Sequence, residues 1–146
     1  MGKKRDKFHE IDLIEVFSEI IASHNAKISA NELATAFRNL SMKRLLLFPS
    51  VKETLKELRT LGAGVYLLSN AQECFTRTEL EDMGLLELFD GIILSSEEGV
   101  KKPSERIFDR AFVQFGISPS DSYYVGNDLY DDVYGASRVG IKTIYI

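Results

Sequence analysis

Three short stretches of this 146-residue sequence carry polar side chains of the types that bind anions or metal cations. Each stretch follows an apolar run that is typical of a strand. Hydroxyl, amide and ammonium groups suit an anion, whereas carboxylate and amide oxygens suit a hard cation. The candidates are Ser69 and Asn70, Lys101 and Lys102, and the acidic group Asn127, Asp128, Asp131 and Asp132.

Ser69 and Asn70 lie between an apolar run and a helical pattern that starts near Ala71. A hydroxyl and free backbone N–H groups at the start of a helix can bind an anion, helped by the helix dipole. The same two side chains could instead cap the helix. The sequence leaves both interpretations open.

Lys102 stands directly before Pro103, where a further helical pattern begins. Proline is favoured at a helix start, but a cation there meets the positive end of the helix dipole. The position is therefore unfavourable for lysine unless an anion compensates. An ordinary surface lysine is the alternative.

Asp128 and Asp132 are one helical turn apart, so both can point into the same crevice. Hard oxygen ligands of this kind suit Mg²⁺. The alternative is a helix cap with solvated acidic neighbours.

The elements that would position these residues change at Pro49. Residues 10–40 read as a helical hairpin, in which Ser29 and Glu32 form a capping box. A second capping box, Ser50 with Glu53, is predicted to start the next helix. Helical patterns then alternate with four apolar runs, "GVYLLSN", "GIILSS", "SYYVGN" and "KTIYI". This alternation predicts an α/β fold with a doubly wound parallel sheet, in which polar groups past the carboxyl ends of strands share one crevice.

The stretches "LLSN", "GVKKPSERIF" and "VGNDLYDDVYGA", in this order, resemble the haloacid dehalogenase-like (HAD-like) hydrolase superfamily, which has a Rossmann-type core. The resemblance covers residues 49–146, and the hairpin before them resembles part of that family's small cap, which gives a cap remnant at 1–48. It implies that Ser69 bonds the transferring phosphoryl group and that Lys102 neutralises charge there, with Asn70 as a further catalytic and phosphate-binding residue. It also implies that acids of the closing motif hold Mg²⁺.

The closing motif departs from the family pattern, because Gly126 is followed by Asn127 where the family has aspartate. Either Asn127 or Asp128 would then be the metal ligand, with Asp132 supporting it from the next turn. The sequence does not decide between them.

A larger departure is the lack of the Asp-x-Asp motif whose first aspartate is the family's nucleophile. Before residue 82 the only aspartates are Asp6 and Asp12; neither follows an apolar run, and Asp12 is expected to cap the first helix. We therefore expect the sequence to begin inside the cap, and this chain alone to be inactive. The two function hypotheses are a fragment of a Mg²⁺-dependent phosphatase that acts on a small phosphate monoester through an aspartyl-phosphate, and a non-catalytic module that binds phosphate, metal or a protein.

Composition excludes other classes. The net charge of −4 gives no basic surface for nucleic acid. No apolar stretch approaches the roughly 20 residues that span a bilayer, and no signal peptide is evident, so the sequence predicts a cytoplasmic protein without membrane contact. Because the family's central strand is missing, three arrangements could compensate for it. We expect the strands ending at Ser69 and near Asn127 to close on each other, or two chains to pair as a homodimer through exposed sheet edges, rather than a segment of the N-terminal region to fill the gap.

Overall fold

The computed structural model describes residues 7–146, so Asp6 lies outside the described residues. After the first three helices, each strand is separated from the next by one or more helices, which confirms the predicted α/β class. The elements are α1 (Leu13–Ser23), α2 (Ala30–Ser41), α3 (Val51–Thr60), β1 (Tyr66–Ser69), α4 (Glu73–Asp82), a 3₁₀ helix (Leu86–Leu88), β2 (Gly91–Leu94), α5 (Ser95–Glu98), α6 (Glu105–Phe115), a second 3₁₀ helix (Pro119–Asp121), β3 (Tyr123–Gly126), a π-helical segment (Leu129–Tyr134), α7 (Gly135–Arg138) and β4 (Lys142–Tyr145). None of these helices has the length and apolar character needed to cross a membrane.

The four strands form two sheets of two strands each, β1 with β2 and β3 with β4. β3 and β4 run parallel, with Val125 opposite Ile144. The expectation that the strands ending at Ser69 and near Asn127 close on each other is wrong, because no backbone ladder joins β1 to β3. A side chain meets the β1 backbone instead: the Tyr124 hydroxyl donates a hydrogen bond to the Leu68 carbonyl at 3.0 Å. The homodimer remains a prediction.

The chain divides into two compact units. The helical unit comprises Ile11–Leu67 and Ala71–Ile92, and the described part of the site unit comprises residues 7–10, Leu68–Asn70 and Ile93–Ile146. The predicted cap and core domains, 1–48 and 49–146, remain a prediction.

Two helix starts in the helical unit follow from the sequence. Asp12 caps α1, with its carboxylate accepting a hydrogen bond from the Ile14 amide at 2.8 Å. Ser29 and Glu32 form the predicted capping box of α2, each side chain bonding the other residue's backbone N–H. Both caps satisfy amide groups that the first helical turn leaves without an intrahelical partner.

The second predicted capping box, Ser50 with Glu53, is wrong. Ser50 has a φ of 65°, in the left-handed region, and its side chain makes no capping hydrogen bond. A capping side chain reaches the free amides of the first turn from an extended backbone. The chain therefore enters α3 through a left-handed residue, and the serine and glutamate spaced as in a capping box do not form one.

The core of the site unit forms around α6. Ile107 and Phe108 are fully buried, and the ring of Tyr124 on β3 meets that of Phe108 edge-on, with centroids 5.6 Å apart. At Gly135 a Cβ atom would lie 3.0 Å from the Phe108 ring and 3.1 Å from the Pro103 Cα. Glycine therefore lets the start of α7 approach α6 closely, which places the segment after β3 over the core.

Candidate functional site

Asn70, directly after β1, fixes the backbone of Lys102. Its Oδ1 accepts a hydrogen bond from the Lys102 amide at 2.8 Å, and its Nδ2 donates to the Lys102 carbonyl at 3.3 Å and to Asp131 Oδ2 at 3.0 Å. The alternative that Ser69 or Asn70 caps a helix is wrong, because α4 begins at Glu73 with Gln72 in the capping position. Both amide hydrogens of Asn70 have partners, and its contact with phosphate remains a prediction.

Lys102 is buried, with 8% of its surface exposed, which excludes the ordinary surface lysine. Its ammonium group donates to Asp132 Oδ1 at 2.6 Å and to the Tyr124 hydroxyl at 2.8 Å. The sequence analysis predicted that an anion compensates the charge of Lys102, and the carboxylate of Asp132, in the same unit, provides that negative charge. Lys102 precedes α6, so its backbone position is set by the bonds to Asn70 rather than by a helix.

Asp132 uses both carboxylate oxygens. Oδ1 accepts from Lys102, and Oδ2 accepts from the backbone amides of Asn127 and Asp128, each at 3.1 Å. Burial raises the pKa of the Asp132 carboxyl, but the bonds from Lys102 and from the Asp128 amide, together with the Lys102 charge, outweigh it and hold the pKa below its ordinary value. The carboxylate therefore stays ionised, as the partner of Lys102.

Gly126, the last residue of β3, gives Asp132 the space for this position. A Cβ atom at Gly126 would lie 2.4 Å from Asp132 Oδ2 and 2.5 Å from the Asp132 Cβ. Any side chain here would displace the carboxylate. The glycine of the closing motif thus allows the Asp132 side chain to lie directly against the backbone at the end of β3.

The other two acids of the closing motif lie in the turn after β3. Asp128 Oδ1 caps the π-helical segment by accepting from the amides of Tyr130 at 2.8 Å and Asp131 at 2.7 Å. Burial, followed by the charge of Asp128, raises the pKa of the Asp131 carboxyl. Asp131 was not among the predicted metal ligands, although its place three residues after Asp128 was visible in the sequence.

Tyr124 is a member of the site that the sequence analysis missed. Burial, followed by the charge of Asp132 and the hydrogen bond to it, raises the pKa of the Tyr124 hydroxyl well above its ordinary value. The hydroxyl therefore remains protonated. Strand alternation could have indicated this residue, since Tyr124 faces the opposite side of β3 from the exposed Tyr123 and Val125.

Ser69 and Asn127 retain free polar groups. The Ser69 hydroxyl is half-buried, and the Asn127 amide is exposed. Within residues 7–146 neither side chain has a hydrogen-bond partner. Both are available to a ligand.

The donor set fits a magnesium ion in part. The Asn127 amide oxygen and one oxygen each of Asp128 and Asp131 have no partner in the described chain. Burial and then repulsion by Asp128 raise the pKa of Asp131, and a divalent cation would relieve the repulsion. Asp132 contributes differently, through the amides of Asn127 and Asp128. The described residues contain no group of three or more His, Cys, Asp or Glu side chains placed to hold a metal, so Asn127 and water would have to complete such a site.

Known proteins resemble this chain over most of its length. A family described as haloacid dehalogenase-like hydrolase matches residues 2–146. A phosphoserine phosphatase from Thermus thermophilus is 33% identical over 117 residues, covering 80% of this chain and 47% of that protein. A glyceraldehyde 3-phosphate phosphatase from Pyrococcus furiosus is also 33% identical, over 115 residues that cover 75% of this chain and 46% of the relative.

The fold has counterparts among solved structures. A HAD phosphatase from Thermococcus onnurineus superimposes with a TM-score of 0.70 at 26% identity, covering 88% of this chain and 58% of the other. A HAD family enzyme from Bacteroides thetaiotaomicron gives a TM-score of 0.68 at 22% identity, covering 92% of this chain and 67% of that one. The chain spans about half the length of the curated relatives it matches.

Proposed function

Because the chain belongs to the haloacid dehalogenase-like hydrolase family, we propose that it supplies the phosphate-holding and metal-holding residues of a phosphatase that uses Mg²⁺ and acts on a small phosphate monoester. The observation that carries the proposal is the buried ammonium group of Lys102, tied through Tyr124 to the end of β1, where the Ser69 hydroxyl has no partner in the described chain. The two relatives named as phosphatases support the reaction class.

In this proposal Lys102 and Ser69 bind the phosphoryl oxygens. The ammonium group neutralises negative charge, and the hydroxyl donates a hydrogen bond, as phosphoryl transfer requires positioning and charge neutralisation. Asn70 holds the loop that carries Lys102. In the family's reaction an aspartate oxygen attacks phosphorus, the ester P–O bond breaks, and water then hydrolyses the aspartyl-phosphate. No Asp-x-Asp motif is present in this sequence, so the nucleophile would come from another segment.

Asn127, Asp128 and Asp131 would hold the metal ion. When bound, Mg²⁺ supplies further neutralisation of phosphate charge. Asp132 keeps the amides of Asn127 and Asp128 in place, which supports the predicted role of its carboxylate as an auxiliary to the ligands. The sequence analysis left open whether Asn127 or Asp128 is the metal ligand; in this proposal both residues are ligands.

The lack of an Asp-x-Asp motif also favours a second candidate, a non-catalytic module that binds phosphate or metal. The reading frame upstream of this chain distinguishes the two. An in-frame apolar strand ending in Asp-x-Asp supports the phosphatase, and a frame without one supports the module.

Calorimetric titration of the chain with inorganic phosphate, in the presence of Mg²⁺, tests the proposal. We expect Lys102→Met to weaken phosphate binding by more than about 10-fold, because the substitution removes the positive charge. Lys101→Met is the matched control and should leave the affinity within about 2-fold. Circular dichroism establishes that each variant is folded. Absence of phosphate binding in the unmodified chain, or equal effects of both substitutions, would contradict the proposal.

A further inference from the structure

We propose that Tyr124 is a positioning residue, whose hydroxyl holds the Lys102 ammonium group at the end of β1 in the orientation that receives phosphate. The inference rests on the proposed function, since it takes Lys102 as the phosphate-binding cation. It adds to that function a residue that acts through Lys102 rather than by touching the ligand.

The hydroxyl of Tyr124 lies in the middle of a short chain of hydrogen bonds from Lys102 to Leu68. Its oxygen accepts a hydrogen bond from Lys102 Nζ at 2.8 Å, and its proton goes to the Leu68 carbonyl at 3.0 Å. A second acceptor, Asp132 Oδ1, lies at 3.3 Å. A hydroxyl has one proton, so the Leu68 carbonyl and the Asp132 carboxylate share it, and the Leu68 carbonyl is the nearer acceptor. Lys102 is thus connected to the backbone of the residue before Ser69.

These hydrogen bonds leave one N–H group of the Lys102 ammonium available to a ligand. An ammonium group has three N–H bonds in fixed tetrahedral directions. Asp132 takes one and Tyr124 takes a second, while the third has no partner among residues 7–146. Two fixed bonds determine the direction of the third. Without the Tyr124 hydroxyl, the bond to Asp132 would be the remaining described hydrogen bond of the ammonium group, and the end of the Lys102 side chain could shift toward Asp132.

Asp132 alone cannot fix this orientation. Its contact with Lys102 runs through one oxygen, Oδ1, because Oδ2 is taken by the two backbone amides. One hydrogen bond restrains the end of a lysine side chain less than two do. Tyr124 supplies the second point, and its ring is held in turn against Phe108.

A double-mutant cycle separates positioning from packing. Tyr124→Phe keeps the ring and removes the hydroxyl. We expect it to weaken binding of inorganic phosphate by about 3- to 10-fold in the full chain, the value of one lost hydrogen bond. In the Lys102→Met background the same substitution should change affinity by less than about 2-fold, because Tyr124 acts through Lys102. Tyr123→Phe, on the exposed face of the same strand, is the matched control. Equal effects of Tyr124→Phe in both backgrounds would overturn the inference.

A measurement without phosphate keeps the inference separate from the proposed function. In ¹⁵N-labelled protein, the ammonium resonance of Lys102, identified by its loss in Lys102→Met, should exchange slowly with water because the group is buried and doubly bonded. Tyr124→Phe should broaden this resonance, whereas Tyr123→Phe should not. An unchanged resonance in Tyr124→Phe would overturn the role of Tyr124. If the unmodified chain binds no phosphate, the proposed function fails, and this resonance still decides whether Tyr124 fixes Lys102.

Discussion

At the scale of single residues, Asp132 connects the charge of the site to the backbone that shapes it. One oxygen pairs with Lys102, and the other holds the amides of Asn127 and Asp128. The residue is only 6% exposed. Removing one partner of a buried ion pair typically costs about 3–5 kcal/mol, because the other charge is left without compensation. Asp132 should therefore affect stability as well as ligand binding.

This arrangement predicts a stability that falls on acidification. The folded chain lowers the pKa of the Asp132 carboxyl, so the ionised form favours the folded state. The resulting stabilisation is fully present above the unfolded-state pKa of about 4 and is lost as the pH falls through the lower folded-state pKa. Urea unfolding between about pH 3 and pH 6 measures it. Asp132→Asn should give a flatter pH dependence.

Asp131→Asn is the matched control, with an effect of opposite sign. The folded chain raises the pKa of Asp131, so protonation of this residue favours the folded state and opposes acid destabilisation. Removing it should steepen the loss of stability on acidification. Equal slopes for the two variants would mean that the ion pair with Lys102 does not control the pH dependence.

The sequence allowed the charged residues of this site to be identified, but it did not show which of them form pairs. Lys102 could be identified because a lysine before a helix start needs an anion. Its partner could not be assigned, because Asp128, Asp131 and Asp132 are alike in type and differ only in which oxygen the turn after β3 aims inward. Tyr124 was missed for a similar reason, since the partner of a strand tyrosine depends on which element packs opposite.

At the scale of secondary-structure elements, the two serine motifs at helix starts are chemically alike and structurally different. Ser29 makes the reciprocal bonds of a capping box, whereas Ser50 has left-handed backbone and makes none. The order and type of helices and strands followed from hydrophobic periodicity. The entry into α3 did not, because residue types at a spacing of three do not report the φ of the first residue.

This difference gives a prediction at two serines. Ser29→Ala should lower the free energy of unfolding by about 1 kcal/mol, because amide groups of α2 lose their partner. Ser50→Ala, the matched control, should have almost no effect. Ser50→Gly should raise the free energy of unfolding by up to about 1 kcal/mol, since glycine accepts a positive φ without strain. Urea denaturation monitors all three. A loss at Ser50→Ala as large as that at Ser29→Ala would contradict this assignment.

At the scale of the whole molecule, the two short sheets have strand edges without a neighbouring strand among residues 7–146, and the β3–β4 sheet carries exposed apolar side chains. β3 has β4 as its only strand partner in the described chain. On their outward face, Val125 and Ile144 lie opposite each other and are 55% and 46% exposed. Exposed apolar patches and unpaired strand edges commonly mark surfaces of association. The sequence indicated free edges, but the exposed face became visible only once the sheets were known to be separate.

We therefore expect copies of this chain to self-associate through the β3–β4 face. Light scattering combined with size exclusion should give a mass that rises with protein concentration, because burial of Val125 and Ile144 is favourable. Val125→Lys should weaken association by more than about 10-fold, since it places a charge at the centre of the contact. Val113→Lys is the matched control: Val113 lies on α6 and is 81% exposed, so the same change there should have no effect. A constant monomer mass at every concentration would show that this face stays uncovered, and an equal response to both lysine substitutions would show that net charge controls the association.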